Sequence, residues 1–137
     1  MFSKITTNLV VADMRVALDF YEKVLSFRLV MGVPEGSQQM VTTREGSPAL
    51  GFALLQRDEV ELMLQSRQSF SDELPECKTR PVGGTITLYI QVANARDLCE
   101  RIKDRVTIVK DLHTTFYGAD EFYIRDGDGY VLTFASR

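Results

Sequence analysis

Strict alternation of apolar and polar residues marks the segment 85–92 as a β-strand. Its even-numbered residues are Ile, Leu, Ile and Val, and its odd-numbered residues are Thr, Thr, Tyr and Gln. Because successive side chains of a strand point to opposite faces, one face is apolar and the other polar. A helical pattern follows at once, with Asn94 as its cap and apolar residues at three- and four-residue spacing from Ala95 to Ile102. This helix would cover the apolar face and leave the polar face open.

The same unit occurs near the start of the chain. Residues 4–11 alternate as a strand, Asp13 follows as a helix cap, and apolar residues then recur at helical spacing. The predicted apolar stripe consists of Val16, Ala17, Phe20, Tyr21 and Val24. A repeated strand, cap and helix indicates a duplicated module, and one such module alone is too short to bury much of its sheet.

Apolar alternation and turn residues predict the remaining strands and the connection between the modules. The predicted strands are 27–33, 39–43, 51–55, 60–65, 106–112, 121–125 and 130–135. The turn Asp126–Gly129 joins the last two as a hairpin. The polar segment 66–83 is predicted to be a linker. The sequence therefore indicates an α+β fold and a single domain, 1–137, made of two modules of about 1–65 and 84–137.

Composition narrows the class of protein. With 137 residues, 45% of them hydrophobic, the chain can bury roughly two thirds of its unfolded surface in one domain. The 16 basic and 19 acidic residues give a net charge of -3 without a basic cluster, which disfavours nucleic acid as a partner. No apolar run has the length of a membrane span or a signal-peptide core, so we expect a cytoplasmic protein. Nothing requires a disulfide between Cys77 and Cys99.

Strand parity assigns a set of mostly hydroxyl- and amide-bearing residues to the open face of the predicted sheets. The set is Thr6, Asn8, Glu61, Met63, Gln65, Thr85, Thr87, Tyr89, Gln91, Glu121, Tyr123, Arg125 and Thr133. A solvated polar face is common in antiparallel sheets. Met63 and two tyrosines near carboxylates instead favour a sheet curled into a cup for a small molecule. Both interpretations remain open at this point.

Two motifs carry a resemblance to a known superfamily. The first is Asp-x-x-x-(Ala/Ser)-x-x-Phe-Tyr, present as Asp13, Ala17, Phe20 and Tyr21. The second is the C-terminal Glu-Phe-Tyr-Ile-Arg-Asp-Gly-Asp-Gly-Tyr-Val-Leu-Thr-Phe, with Gly127 where proline is usual. Both resemble the vicinal oxygen chelate superfamily, which includes glyoxalase I, ring-cleaving dioxygenases and bleomycin-resistance proteins. The resemblance implies paired βαβββ modules that form a cup-shaped mixed sheet.

Metal-dependent members of this superfamily carry ligands on the first and last strands of each module. By resemblance, those positions are Thr6, Glu61, Thr87 and Thr133. Only Glu61 could bind a metal ion strongly, since catalytic sites need about three good nitrogen or oxygen ligands. We therefore expect neither a metal nor another cofactor, which argues against glyoxalase I or extradiol dioxygenase chemistry. Glu61 could equally be a solvated or arginine-paired strand residue.

The single histidine, His113, is predicted to end a strand and begin a loop. By resemblance to the superfamily, that loop lies near the mouth of the cup. His113 is then either solvated or a hydrogen-bonding or acid–base group at the rim. Phe116 and Tyr117 in the same loop would offer aromatic contact to a ligand.

Three hypotheses for function follow. The first is a metal-free small-molecule binding protein that resembles the bleomycin-resistance branch and, like it, forms a homodimer. Its predicted ligand-binding residues are Asn8, Glu61, Met63, Thr87, Tyr89, His113, Tyr117, Glu121 and Tyr123. The alternative is a metal-dependent lyase, isomerase or dioxygenase in which Glu61 is catalytic, with His113 and Glu121 in a rearranged site. The third is a module that binds another protein. The carboxylates of Glu61 and Glu121 would suit a cationic or polyhydroxylated ligand.

Overall fold

Each half of the chain forms a four-stranded mixed sheet in which the first strand pairs with the last. We describe the protein from a computed structural model that covers Met1–Arg137. The chain divides into a first unit, Met1–Pro81, and a second unit, Val82–Arg137. None of the helices is both long enough and apolar enough to cross a bilayer.

The first unit contains four strands and two helices. They are β1 (Thr7–Val11), α1 (Met14–Asp19), β2 (Arg28–Pro34), β3 (Leu50–Arg57), β4 (Val60–Ser66) and α2 (Arg67–Glu73). A π-helical turn, Phe20–Val24, continues α1, and a 3₁₀ turn, Pro75–Cys77, follows α2. The strand order is β1-β4-β3-β2, with β1 parallel to β4 and the other pairs antiparallel.

The second unit repeats this topology. Its elements are β5 (Thr87–Gln91), α3 (Ala95–Ile102), β6 (Thr107–Thr114), β7 (Asp120–Arg125) and β8 (Val131–Ser136), with a 3₁₀ turn at Lys103–Arg105. The order is β5-β8-β7-β6, with β5 parallel to β8. The predicted α+β class and the paired βαβββ modules are confirmed.

Both predicted helix caps are confirmed. The carboxylate of Asp13 accepts a hydrogen bond from the backbone N–H of Val16 at 3.2 Å, and the side chain of Asn94 accepts one from Asp97 at 2.9 Å. These bonds satisfy N–H groups that have no partner within the first helical turn. The two modules therefore begin their helices by the same local chemistry.

The apolar stripe of α1 differs from the prediction. Its buried residues are Met14, Ala17 and Leu18, followed by Tyr21 in the π-helical turn, whereas Val16 is exposed. Two stripes can be drawn through Ala17 and Tyr21, and the sequence spacing does not distinguish them. In α3, all four residues of the predicted stripe are buried, namely Ala95, Leu98, Cys99 and Ile102.

The first strand of each unit starts later than predicted. In the first unit the ladder begins with Thr7 opposite Leu62, so residues 4–6 lie outside β1. In the second it begins with Thr87, and Ile86 is exposed rather than part of the apolar face. In the second unit the partner strand β8 itself begins opposite Thr87, at Val131, so Ile86 has no strand residue to pair with. In the first unit β4 extends to Val60, but the ladder ends before it.

The strand predicted at 39–43 is wrong. Only an isolated bridge forms there, between Gly32 and Val41. Arg44 instead ties the segment to the end of α1 and the turn after it. Its Nη1 atom lies 3.1 Å from Asp19 Oδ1 and 2.5 Å from Glu22 Oε2. The hydrogen bond from Arg44 holds the pKa of Asp19 below its ordinary value.

The predicted linker contains a helix that was not predicted. Ser66, the last residue of β4, accepts a hydrogen bond from the backbone N–H of Ser69 at 3.1 Å and thereby caps α2. Helix α2 packs against β1, β3 and β4. Its sequence has no apolar stripe, and none of its residues is buried, so hydrophobic spacing gave no signal for it.

Candidate functional site

Strand register places the predicted polar residues of the second unit on one face of its sheet. Tyr89 lies opposite Thr133, and Thr133 lies opposite Tyr123. In the next row Ala135 lies between Gln91 and Glu121. The other face carries the buried residues Phe122, Ile124, Leu132 and Phe134, and α3 packs on β7 and β8. The alternation in the sequence therefore assigns this open face correctly.

Glu121 is the centre of a hydrogen-bonded cluster on that face. One of its oxygens, Oε2, accepts from the hydroxyl of Tyr89 at 2.7 Å and from the hydroxyl of Tyr117 at 2.6 Å. The residue is only 1% exposed, although strand parity assigned it to the open face. A buried carboxylate needs such donors, because an unpaired buried charge is costly.

The cluster shifts the pKa values of its members in opposite directions. Burial raises the pKa of Glu121, but the hydrogen bonds from Tyr117 and Tyr89, together with nearby His113 and Lys110, bring it below the ordinary value. The hydrogen bond to Glu121 raises the pKa of Tyr89 to about 12, and the same cause raises the pKa of Tyr117. At neutral pH the carboxylate is therefore ionised and both phenols are protonated.

The bond between Tyr89 and Glu121 spans a strand. Tyr89 is on β5 and Glu121 on β7, with β8 between them. The neighbouring β8 residues, Thr133 and Ala135, are 2% and 3% exposed. Thr133 was predicted to be open, but tyrosines lie directly opposite it on both neighbouring strands. The small side chain of Ala135 leaves room for the phenol to reach the carboxylate.

A cavity of about 260 Å³ adjoins the cluster. It is lined by Tyr89, Gln91, Val92, Ala119, Ala135, Ser136 and Arg137. The guanidinium of Arg137 lies 5.8 Å from the ring centre of Tyr117 and donates to the Tyr117 carbonyl oxygen at 3.4 Å. The lining of the cavity thus includes an aromatic ring, several small side chains, an amide and a cation.

His113 belongs to β6 and not to a loop, contrary to the prediction. Two register irregularities, after Ile108 and after Lys110, interrupt the alternation of β6 but not its pairing, which continues to Thr114. His113 pairs with Glu121 across the ladder, and its ring centre lies 6.2 Å from that of Tyr123. Its Nδ1–H donates to the carbonyl oxygen of Asp111 at 2.8 Å.

On the open face of the first unit, the polar side chains attach a helix to the sheet. Asn8 donates to Gln65 Oε1 at 2.9 Å, and Gln65 Nε2 donates to Ser69 Oγ at 3.0 Å and to Glu73 Oε2 at 3.3 Å. Gln65 is 4% exposed, although it was predicted on the open face. These contacts attach α2 to β1 and β4. Asn8, a predicted ligand-binding residue, is therefore part of a structural network.

The remaining predicted site residues do not join a cluster. Glu61 Oε2 lies 2.7 Å from Lys4 Nζ, so its partner is a lysine rather than an arginine. Met63 is half-buried and lies in register between Asn8 and Leu54. Thr87 is exposed at the start of β5. Lys4 was missed because the ion pair joins segments far apart in sequence.

Comparison with known proteins gives the family. A model described as "Glyoxalase/Bleomycin resistance protein/Dioxygenase superfamily" matches residues 5–134. The chain belongs to this superfamily. No functionally curated protein matches the sequence.

Solved structures of low sequence identity share the fold of this superfamily member. One is a superfamily member from Sphaerobacter thermophilus DSM 20745, with 16% identity, a TM-score of 0.74, and coverage of 99% of this chain and 98% of that chain. Another is TioX from Micromonospora sp. ML1, with 17% identity, a TM-score of 0.68, and coverage of 98% and 96%. A protein of unknown function from Agrobacterium tumefaciens str. C58 has 16% identity, a TM-score of 0.75, and coverage of 100% and 95%.

The residues of this superfamily member do not fit the metal centre of the metal-dependent members. Thr133 is buried opposite two tyrosines, Glu61 is paired with Lys4, and Thr6 precedes β1. Neutral hydroxyls are weak ligands compared with imidazole or carboxylate. No three His, Cys, Asp or Glu side chains are grouped as metal ligands.

Proposed function

We propose that this superfamily member binds a small molecule, without a metal ion, on the open face of its second unit. The supporting observation is the cluster of Glu121, Tyr89 and Tyr117 beside the 260 Å³ cavity. A few polar side chains held in place next to a cavity are typical of ligand sites. His113 and Tyr123 lie beside the cluster, and Gln91 and Arg137 line the cavity.

The direction of the pKa shifts favours binding over acid–base catalysis. A general acid or base works best with a pKa near the working pH. The pKa of Glu121 is lowered and those of Tyr89 and Tyr117 are raised, so all three move away from neutrality. In the rearranged-site alternative, Glu61 would first have to leave Lys4. These contacts give the alternative no positive support.

The charges around the cluster favour a neutral ligand over a cation. Lys110 Nζ lies 5.6 Å from the ring centre of Tyr123, and Arg137 lies against Tyr117. These two cations already occupy ring faces that a cationic ligand would use. The Oε2 atom of Glu121 is engaged by two phenols. We infer a neutral, planar or polyhydroxylated molecule that stacks on Tyr89 and hydrogen-bonds to Gln91.

A screen of neutral aromatic and polyhydroxylated compounds by thermal shift, followed by calorimetry, tests this proposal. We expect a hit to bind chelator-treated and untreated protein equally, with no stoichiometric metal detected by elemental analysis. Gln91→Ala should weaken binding roughly fivefold or more, since one good hydrogen bond is lost. Gln56→Ala, an amide change in the first unit, is the matched control. Binding that requires added nickel, zinc, manganese or iron would contradict the proposal.

We also propose that the protein is a homodimer in the cytoplasm. The resemblance to the bleomycin-resistance branch supports the dimer. Cys77 and Cys99 are both free and buried, which suits a reducing compartment. Light scattering coupled to size exclusion at micromolar concentration should give twice the chain mass of 15.5 kDa. A monomer under those conditions would contradict the proposed assembly.

A further inference from the structure

The turn between β6 and β7, Thr115–Ala119, is closed upon itself. The backbone N–H of Thr115 donates to the Ala119 carbonyl at 2.8 Å, and that of Gly118 donates to the Thr115 carbonyl at 3.0 Å. The N–H of Ala119 also donates to Thr115 Oγ1 at 3.0 Å. Gly118 has φ +84°, which a glycine adopts without strain. These hydrogen bonds within the turn hold its residues in one conformation.

Tyr117 fastens this turn to the open face. Its hydroxyl donates to Glu121, and its ring and carbonyl contact Arg137. Phe116, at the tip of the turn, adds no contact to the open face. It is fully exposed and packs edge-on against the Tyr117 ring, with 5.0 Å between the ring centres. Ala119, at the end of the turn, is only 1% exposed and stays with the base. The outer residues Phe116–Gly118 are held mainly through the Tyr117 side chain, so they can swing when its hydrogen bond breaks.

The base of the turn is held more firmly. Thr114 and Asp120 are the last ladder pair, and Thr114 Oγ1 donates to Asp120 Oδ1 at 2.7 Å. Arg96 Nη2 lies 3.7 Å from the other carboxylate oxygen of Asp120, which ties this base to α3. Motion of the turn would therefore pivot at the ends of β6 and β7.

Tyr89 lowers the free-energy cost of breaking the hydrogen bond between Tyr117 and Glu121. Both phenols donate to the same oxygen of Glu121, so the buried carboxylate keeps a donor when Tyr117 leaves. The phenol of Tyr117 is partly exposed and can turn to water. Breaking a bond without stranding a buried charge costs far less than breaking the last bond to that charge.

We propose that the outer part of this turn, Phe116–Gly118, is a strap beside the cavity that opens when Tyr117 leaves Glu121. The strap is next in sequence to Ala119, which lines the cavity, and Tyr117 also holds Arg137, another lining residue. Opening would therefore release Arg137 and uncover Ala119. This inference rests on the proposed function, since it assigns the strap to the entry of that site's ligand.

Backbone ¹⁵N relaxation tests the fastening, with Tyr117→Phe compared against Tyr89→Phe. Each variant removes one phenol hydroxyl from the same carboxylate oxygen. We expect order parameters at Phe116–Gly118 to fall from about 0.85 to below about 0.6 in Tyr117→Phe only. An ordered turn in Tyr117→Phe, or equal loosening in both variants, would overturn the proposal.

Thiol reactivity at Ala119→Cys tests the opening itself. Ala119 lines the cavity, is 1% exposed and directly follows the strap, and the unmodified protein gives the background from Cys77 and Cys99. Alkylation should be roughly fivefold faster with Tyr117→Phe than with Tyr89→Phe, because local opening uncovers this residue. Equal rates would overturn the strap. Neither experiment uses a ligand, so failure of the ligand screen would count against the proposed function separately.

Discussion

Replacing Glu121 by glutamine should lower the pKa of Tyr89 from about 12 towards the ordinary phenol value of 10.0. The hydrogen bond to the carboxylate is the main cause of the raised pKa, and a neutral amide holds the phenolic proton less strongly. Absorbance titration of tyrosine ionisation measures the change. The same titration of Tyr89→Phe shows which transition belongs to Tyr89, because that transition is then missing. Glu61→Gln is the control and should leave the titration unchanged. A Tyr89 transition that stays near 12 in Glu121→Gln would contradict the assigned contact.

The same substitution should flatten the dependence of stability on pH at both ends. The lowered pKa of Glu121 means that its ionised form stabilises the fold above the ordinary carboxyl pKa of 4.5, and this contribution is lost as pH falls. Because the pKa values of Tyr89 and Tyr117 are raised, their protonated forms stabilise the fold below the ordinary phenol pKa of 10.0. This contribution is lost as pH rises through the raised pKa values, which for Tyr89 is about 12. We expect Glu121→Gln to reduce the free energy of unfolding at pH 7 by about 1–3 kcal/mol. Urea denaturation across this pH range measures both effects.

Replacing Gln65 by leucine should destabilise the first unit by about 2 kcal/mol and release α2. The substitution leaves Asn8, Ser69 and Glu73 without the amide that joins them. Helix α2 has no fully buried residue, and these polar contacts join it to β1 and β4. Urea denaturation gives the loss of stability, and amide hydrogen exchange should become faster in α2 than in β4.

Gln68→Leu is the matched control for Gln65→Leu. Gln68 is on α2 itself, but its amide donates only to Asp72 at 2.9 Å on the exposed side. Its replacement should change the free energy of unfolding by less than about 0.5 kcal/mol. Equal effects of the two substitutions would show that the buried amide does not hold α2.

The regular parts of the fold could be predicted because their signals are local. Alternation places Tyr89, Thr133 and Tyr123 on one face, since side-chain direction in a strand follows from residue parity alone. Asp13 and Asn94 are caps because the acceptor and the helix it caps are adjacent in sequence. The duplicated module follows from these two signals occurring twice.

The candidate site depends on contacts that residue parity along a strand does not predict. Parity assigns Glu121 to the open face, but its burial results from two phenols that approach from β5 and from the turn after β6. His113 was placed in a loop because irregular pairing hides the period of β6. Helix α2 was missed because it is attached by Gln65 rather than by apolar residues. Such contacts depend on side-chain reach across strands.

The position of the last strand in each sheet has a consequence for biosynthesis. β4 and β8 are made last in their units, yet each lies inside its sheet, between the first strand and the third. A nascent chain that has emerged only as far as β3 or β7 therefore holds a first strand with no neighbour to pair with. Pairing of the first strand with the last, over so long a sequence separation, is slow compared with hairpin formation. Each unit should consequently become protease-resistant on the ribosome in one late step rather than strand by strand.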